Sequence, residues 1–110
     1  MAYKAIHRFA KISPRKVKPL ATMIRGQRAD RALDILRYQP QRGARMLEKV
    51  LRSAIANAED LRAANVGNLV VTEARVDGGP MFKRMRPRAR GMSYLIKKRM
   101  SHIHVSVDNP

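Results

Sequence analysis

Residues 80–100 read PMFKRMRPRARGMSYLIKKRM, with eight Lys or Arg residues and no Asp or Glu. This stretch constrains every fold open to the chain. Like charges at that density repel one another, and the apolar residues among them gather on no single face. The segment therefore cannot build a core of its own. It must be an unstructured tail or be carried by folded elements on both sides. The whole chain has 110 residues, about one ordinary domain, which is enough for a modest core elsewhere.

The flanks settle the choice. In LVVTEARVD, Val70, Thr72, Ala74 and Val76 alternate with Val71, Glu73 and Arg75. In SHIHVSV, Ile103, Val105 and Val107 alternate with His102, His104 and Ser106. Both patterns are those of half-buried strands. A structureless loop over the intervening residues 78–101 would be unusual in a compact domain. The two strands are expected to continue outward as a ribbon, with RPRARG near its tip and Gly91 helping the chain reverse. About twelve residues per arm, at ~3.3 Å each, would reach roughly 40 Å. A two-stranded ribbon is marginal alone in water, and phosphates would order it by neutralising its charge. Arg predominates toward the tip, where its planar fork suits phosphate and stacks on bases. A disordered solubilising tail accounts poorly for Phe82, Tyr94, Leu95 and Ile96 within the segment.

The rest of the chain supplies the body. Residues 2–9 alternate apolar and basic side chains and are expected to form a short strand. In ISPRKVKPLATMIRGQ, Val17, Leu20, Ala21 and Ile24 follow helical spacing, Ser13 is placed to cap, and Pro14 suits the first position. Gly26 is placed to end that helix, and Pro19 inside it predicts a kink. ADRALDILRY predicts a second helix burying Leu33 and Leu36, ended by Pro40. Residues 41–61 predict the longest helix, with Leu47, Val50, Leu51, Ala54, Ala58 and Leu61 on one face. Glu48 and Arg52 are spaced to pair on its exposed side. AANVGN reads as a turn. A sheet with one face covered by helices is the economical architecture, in a single domain spanning 1–110.

Charge bounds the function. The formal net charge is +16. Residues 1–29 carry eight basic residues and no acid, and residues 78–110 carry eight and only Asp108. The middle is nearly neutral, so the ends are expected to be the surface that meets a polyanion. The chain contains no Cys, which removes disulfides, thiol catalysis and thiolate metal sites. No apolar run is long enough for a membrane span or a signal core, and cytoplasmic residence is expected. His102 and His104 share a strand face without a third ligand in sequence, so exposed polar histidines are expected rather than a metal pair. DGGP reads as a turn, since a phosphate loop would need a following Lys and Ser or Thr. The Met residues at 81, 85, 92 and 100 read as adaptable apolar contacts. No catalytic pair of carboxylates stands out, so no enzyme, cofactor, metal or small-molecule substrate is expected.

Four motifs, ISPRKV, SAIANAE, PRARG and KKRMSHI, occur in an order and spacing that cover most of the chain. In these the sequence resembles the bacterial-type large-subunit ribosomal protein family numbered twenty-two. The resemblance implies an α+β fold: three helices packed on a three-stranded antiparallel sheet with a long projecting β-hairpin, here residues 78–101. It also implies a structural protein that binds large-subunit ribosomal RNA and steadies its fold during assembly. The implied partners are that RNA, neighbouring ribosomal proteins at the peptide exit tunnel, and the nascent polypeptide.

Carried over together with the acid-free ends, the expected RNA contacts are Lys4, Arg8, Lys11, Arg15, Lys16, Lys18, Arg25, Lys83, Arg84, Arg86, Arg88, Arg90, Lys97, Lys98 and Arg99. The hairpin tip expected to line the tunnel is Arg86, Pro87, Arg88, Ala89, Arg90 and Gly91. The competing expectation is an architectural DNA-binding protein that inserts the ribbon into a groove. A membrane-active cationic domain would need an amphipathic helix carrying the excess charge, and the largest basic segment reads as ribbon instead.

Overall fold

The computed structural model describes residues 2–63 and 66–109. The chain runs β1 (Tyr3–Ala10), α1 (Pro14–Ile24), α2 (Ala29–Tyr38), α3 (Arg42–Asp60), β2 (Val70–Pro87) and β3 (Ser93–Asp108). The sheet order is β1-β3-β2, and both pairings are antiparallel. The last strand is therefore central. Its alternation holds: Ile103, Val105 and Val107 are fully buried against the helices. Three helices on a three-stranded antiparallel sheet make the fold α+β, as the resemblance implies.

The first half of β2 departs from its expected phase. Val71, Ala74 and Val76 are buried, whereas Val70 is half-buried and Thr72 exposed. Val71 opposes Val107 and Glu73 opposes Ser106, so Thr72 is an extra residue in a bulge. One inserted residue flips every side chain after it to the other face. DGGP is likewise not a turn. Gly78 opposes Ser101 and Met81 opposes Arg99, which puts a second bulge at Gly79 and Pro80 inside β2. Pro80 lacks an N–H to give to a ladder. A Cβ on Gly79 would stand 3.3 Å from the His102 ring and from the Met100 carbonyl oxygen.

Helix α1 buries Val17, Leu20, Ala21 and Ile24, the predicted stripe. Ser13 occupies the N-cap position, but its side chain makes no capping bond. Pro14 has no N–H to satisfy, and the Lys16 N–H reaches the Ser13 carbonyl instead. Pro19 does not end the helix, which runs on to Ile24 with Leu20 and Ala21 packed beside it. Gly26 adopts a φ of +76° after the helix, and its N–H donates to the Val71 carbonyl.

Helix α2 buries Ala29, Ala32 and Leu36, while Leu33 is only half-buried. In α3, Leu47, Val50, Leu51, Ala54 and Ala58 are buried as expected, but the helix stops at Asp60 and Leu61 is exposed. Gly43 lies so near α1 that a Cβ would stand 3.3 Å from Leu20 Cδ1 and from Val17 Cγ2. Asn57 Nδ2 donates to the Lys4 carbonyl at 2.8 Å, tying α3 to β1. Of the expected turn AANVGN, Ala64 and Asn65 lie outside the described residues, and Val66–Asn68 form a 3-10 turn.

Glu48 corrects a further expectation. It does pair with Arg52, at 2.8 Å, but it is 8% exposed and not on an open face. Arg45, one turn earlier on α3, adds a second pair at 3.0 Å, and packing of α2 against α3 brings Arg37 to 3.7 Å. Arg45 also donates to the carbonyls of Leu36, Arg37 and Gln39, satisfying the end of α2. Glu48 thus clamps the two helices. Glu48→Ala should cost about 1–2 kcal/mol in denaturant unfolding, at the low end for a buried partner because the three arginines can re-enter water. Glu59→Ala, on the exposed side of α3, should shift stability by less than ~0.5 kcal/mol. Equal effects would remove Glu48 from this role.

Candidate nucleic-acid interface

Past Ser101 the ladder leaves the body but does not stop. Met81 opposes Arg99, Phe82 Lys98, Lys83 Lys97, Arg84 Ile96, Met85 Leu95, Arg86 Tyr94 and Pro87 Ser93. Every residue from Pro80 to Leu95 is exposed. The molecule is 64 Å long, and its radius of gyration is 16.9 Å, against about 13 Å for a compact chain of this length. The tip closes with the Arg88 N–H donating to the Met92 carbonyl at 2.6 Å. Gly91 (φ +69°) is where the reversal was expected, and Arg90 (φ +65°) shares the left-handed conformation with it.

Opposed residues in a ladder share a face. One face of the ribbon thus sets Lys83 directly across from Lys97, with Met85 and Leu95 further out. The other carries Lys98, Arg84 and Arg86 beside Phe82, Ile96 and Tyr94. Arg84 lies over the Phe82 ring, 5.2 Å from its centroid. Directly opposed like charges destabilise a strand pair unless an anion intervenes.

At the base of the ribbon two open grooves receive more of the predicted cations. A groove of about 790 Å³ runs between Ser13, Pro14, Arg15 and Lys18 of the α1 end and Gly78 and Arg99 of the ribbon. A second, of about 680 Å³, is lined by Lys11, Lys16, Arg42, Lys97, Lys98 and Arg99, with Phe82 and Met100 as its apolar part. Among the described residues no acid lines either groove. The first turn of α1 also carries no acid, so its amide dipoles and these cations act in the same direction on an anion.

All fifteen predicted contact residues are exposed. The fold gathers Lys11, Arg15, Lys16, Lys18, Lys97, Lys98 and Arg99 at the ribbon base, and strings Lys83, Arg84, Arg86, Arg88 and Arg90 along the arm. It sets three others apart, of which Arg8 stands exposed on β1 outside both grooves. Lys4 lines a shallow depression on the uncovered sheet face with Glu73, Arg75 and His104. Arg25 donates from Nε to the Ala74 carbonyl at 2.8 Å, which engages it with β2. Arg42 was missed in sequence. It enters the second groove because it hydrogen-bonds the Lys11 carbonyl, a contact between residues distant in the chain.

The histidines are half-buried and not the exposed pair expected. His102 Nδ1 accepts the Phe9 N–H at 3.1 Å, and His104 Nε2 lies 3.3 Å from Asp77 Oδ2. Among the described residues no helix is long and apolar enough to cross a membrane, and no group of His, Cys, Asp or Glu is arranged to hold a metal ion.

A small body with an acid-free cationic arm defines a class of structural, charge-presenting proteins. The chain belongs to the ribosomal protein L22p/L17e family, whose model matches residues 5–108. It is thereby a structural ribosomal protein, not an enzyme. Its relatives include the large ribosomal subunit protein uL22 of Rhodopirellula baltica, 56% identical over 110 residues, covering 96% of this chain and 92% of that one. The protein of the same name from Caldicellulosiruptor saccharolyticus is 53% identical over 98 residues, covering 89% and 80%. That from Maridesulfovibrio salexigens is 49% identical over 107 residues, covering 97% of each.

The ribbon's own charge repulsion yields a prediction. At low salt, amides of residues 82–96 should exchange with deuterium much faster than those of 103–107, and polyphosphate should slow the ribbon selectively. Equal protection of both segments without an anion would contradict it.

Proposed function

We propose that this chain, a structural constituent of the large ribosomal subunit in the cytoplasm, binds large-subunit ribosomal RNA through its ribbon and the grooves at the ribbon base. The Lys83–Lys97 juxtaposition carries the reading: an exposed arm that opposes like charges is stable only against a polyanion. Binding exchanges condensed counterions for direct Lys and Arg contacts to phosphate, which steers the protein onto RNA without a sequence code. The 64 Å length lets one protein touch RNA segments far apart and hold them in register during assembly. At the far end, residues 86–91 form part of the wall of the nascent-peptide exit tunnel, beside neighbouring ribosomal proteins.

Binding to a large-subunit RNA fragment should weaken in the Arg84→Ala, Arg88→Ala, Arg90→Ala triple variant, with the salt slope reduced by roughly two units and the unfolding of the body unchanged. Folded ribosomal RNA should win over duplex DNA of equal charge. Equal affinity would favour the DNA-architectural alternative. Because the chain has no Cys, Ala89→Cys supplies a unique handle at the tip. In assembled subunits it should cross-link to stalled nascent peptides, and failure to do so would take the tip out of the tunnel wall.

A further inference from the structure

Among the described residues, three other than glycine have positive φ: Phe9 (+59°), Arg62 (+55°) and Arg90 (+65°). Arg62 follows the end of α3 and Arg90 sits in the ribbon turn, where left-handed residues are customary. Phe9 instead sits in a bulge of β1, where the left-handed position ordinarily falls to glycine. It lies within β1, where a bulky residue in this conformation is strained. The register of β1 against β3 breaks between His7 and Ala10, around it.

That strain presents an aromatic ring to solvent. Phe9 is 57% exposed, although the body around it buries its other strand-end apolar residues Tyr3, Ala10 and Ile12. Its N–H is taken by His102 Nδ1 at 3.1 Å. The two rings meet edge to face, with centroids 5.1 Å apart and planes at 87°. The ring is therefore braced on one side by the His102 ring, while His102 also fixes the backbone that carries it. Arg8 precedes it, and Lys11, two residues on, lines the groove with Lys16, Arg42 and Lys98. Phe82, by contrast, already carries the Arg84 guanidinium over its ring.

We propose that Phe9 is a stacking platform for one unpaired nucleobase of the bound RNA, with Arg8 and Lys11 taking the flanking phosphates. The inference rests on the RNA-binding function proposed above and adds a contact to bases. Phosphate alone has no use for a fixed aromatic ring, and an apolar protein partner has no use for the cations that precede and follow it in the chain. A base supplies a π face and a charged strand together, and stacking on an aromatic ring tolerates any base.

The chain contains no Trp, so Phe9→Trp introduces a single indole at the site. Single-stranded oligouridylate should quench its fluorescence on binding, while inorganic polyphosphate should bind without quenching. Phe9→Leu in the native chain should lose roughly tenfold in affinity for oligouridylate and keep its affinity for polyphosphate. The second variant decides alone if the first does not fold. Binding of oligouridylate without quenching, or equal losses on both polyanions, would overturn the platform and leave the RNA-binding function standing. If the native chain prefers no RNA over polyphosphate, that function fails and the platform with it. If Phe9→Leu binds RNA normally but no longer enters large subunits, Phe9 meets a protein and the proposal is wrong.

Discussion

The continuous ladder between β2 and β3 is the constraint on which the rest of the structure depends. One strand, Ser93–Asp108, is at once the centre of the sheet and one arm of the ribbon. Its inner half is held by Ile103, Val105 and Val107, all fully buried. Its outer half, from Ser93 to Arg99, has almost nothing to bury. Backbone hydrogen bonds carry alignment from the first half to the second, so the core positions an arm that could not form a core itself. The bulge at Gly79 and Pro80 marks the passage. It sets Gly79 and Pro80 against the single Met100, one extra residue that leaves the ladder continuous beyond it and locally increases the twist.

Charge is divided along the same boundary. In the body, Asp30 pairs with Arg28, Asp34 with Arg37, and Glu48 with three arginines, while Arg75 bridges Glu73 and Asp77. Apart from the Glu48 cluster, these exposed pairs contribute little to stability individually. Their larger effect is on the field: the middle of the chain presents little net charge, and the acid-free ends dominate what an approaching polyanion meets. The α1 terminus and the ribbon are remote in sequence, yet they face each other across the two basic grooves.

Much of this was legible in the residues. Helical spacing identified the α1 stripe and most of the α3 face, and strict alternation identified β3. Both depend only on neighbours a few positions away. The misses have a common origin. The bulge at Thr72 shifted the β2 phase, DGGP entered a strand and not a turn, and Glu48 was covered when α2 brought Arg37 against α3. Each was decided by partners distant in the chain. Among the interface residues, Arg42 was hidden for the same reason: only its bond to the Lys11 carbonyl shows where the helix start sits.

By itself, the sequence determined the strongly cationic character of this protein, because charge composition does not depend on folding. It also pointed to residues 78–101 as an extension of strands, because alternating strands flank a segment that has no apolar face of its own. Only the tertiary structure decided which cations stand together, which carboxylates they consume, and where an aromatic ring is held out to solvent. Those are distances between residues far apart in the chain. A one-residue bulge, invisible to periodicity, is enough to move a side chain from one face of the sheet to the other.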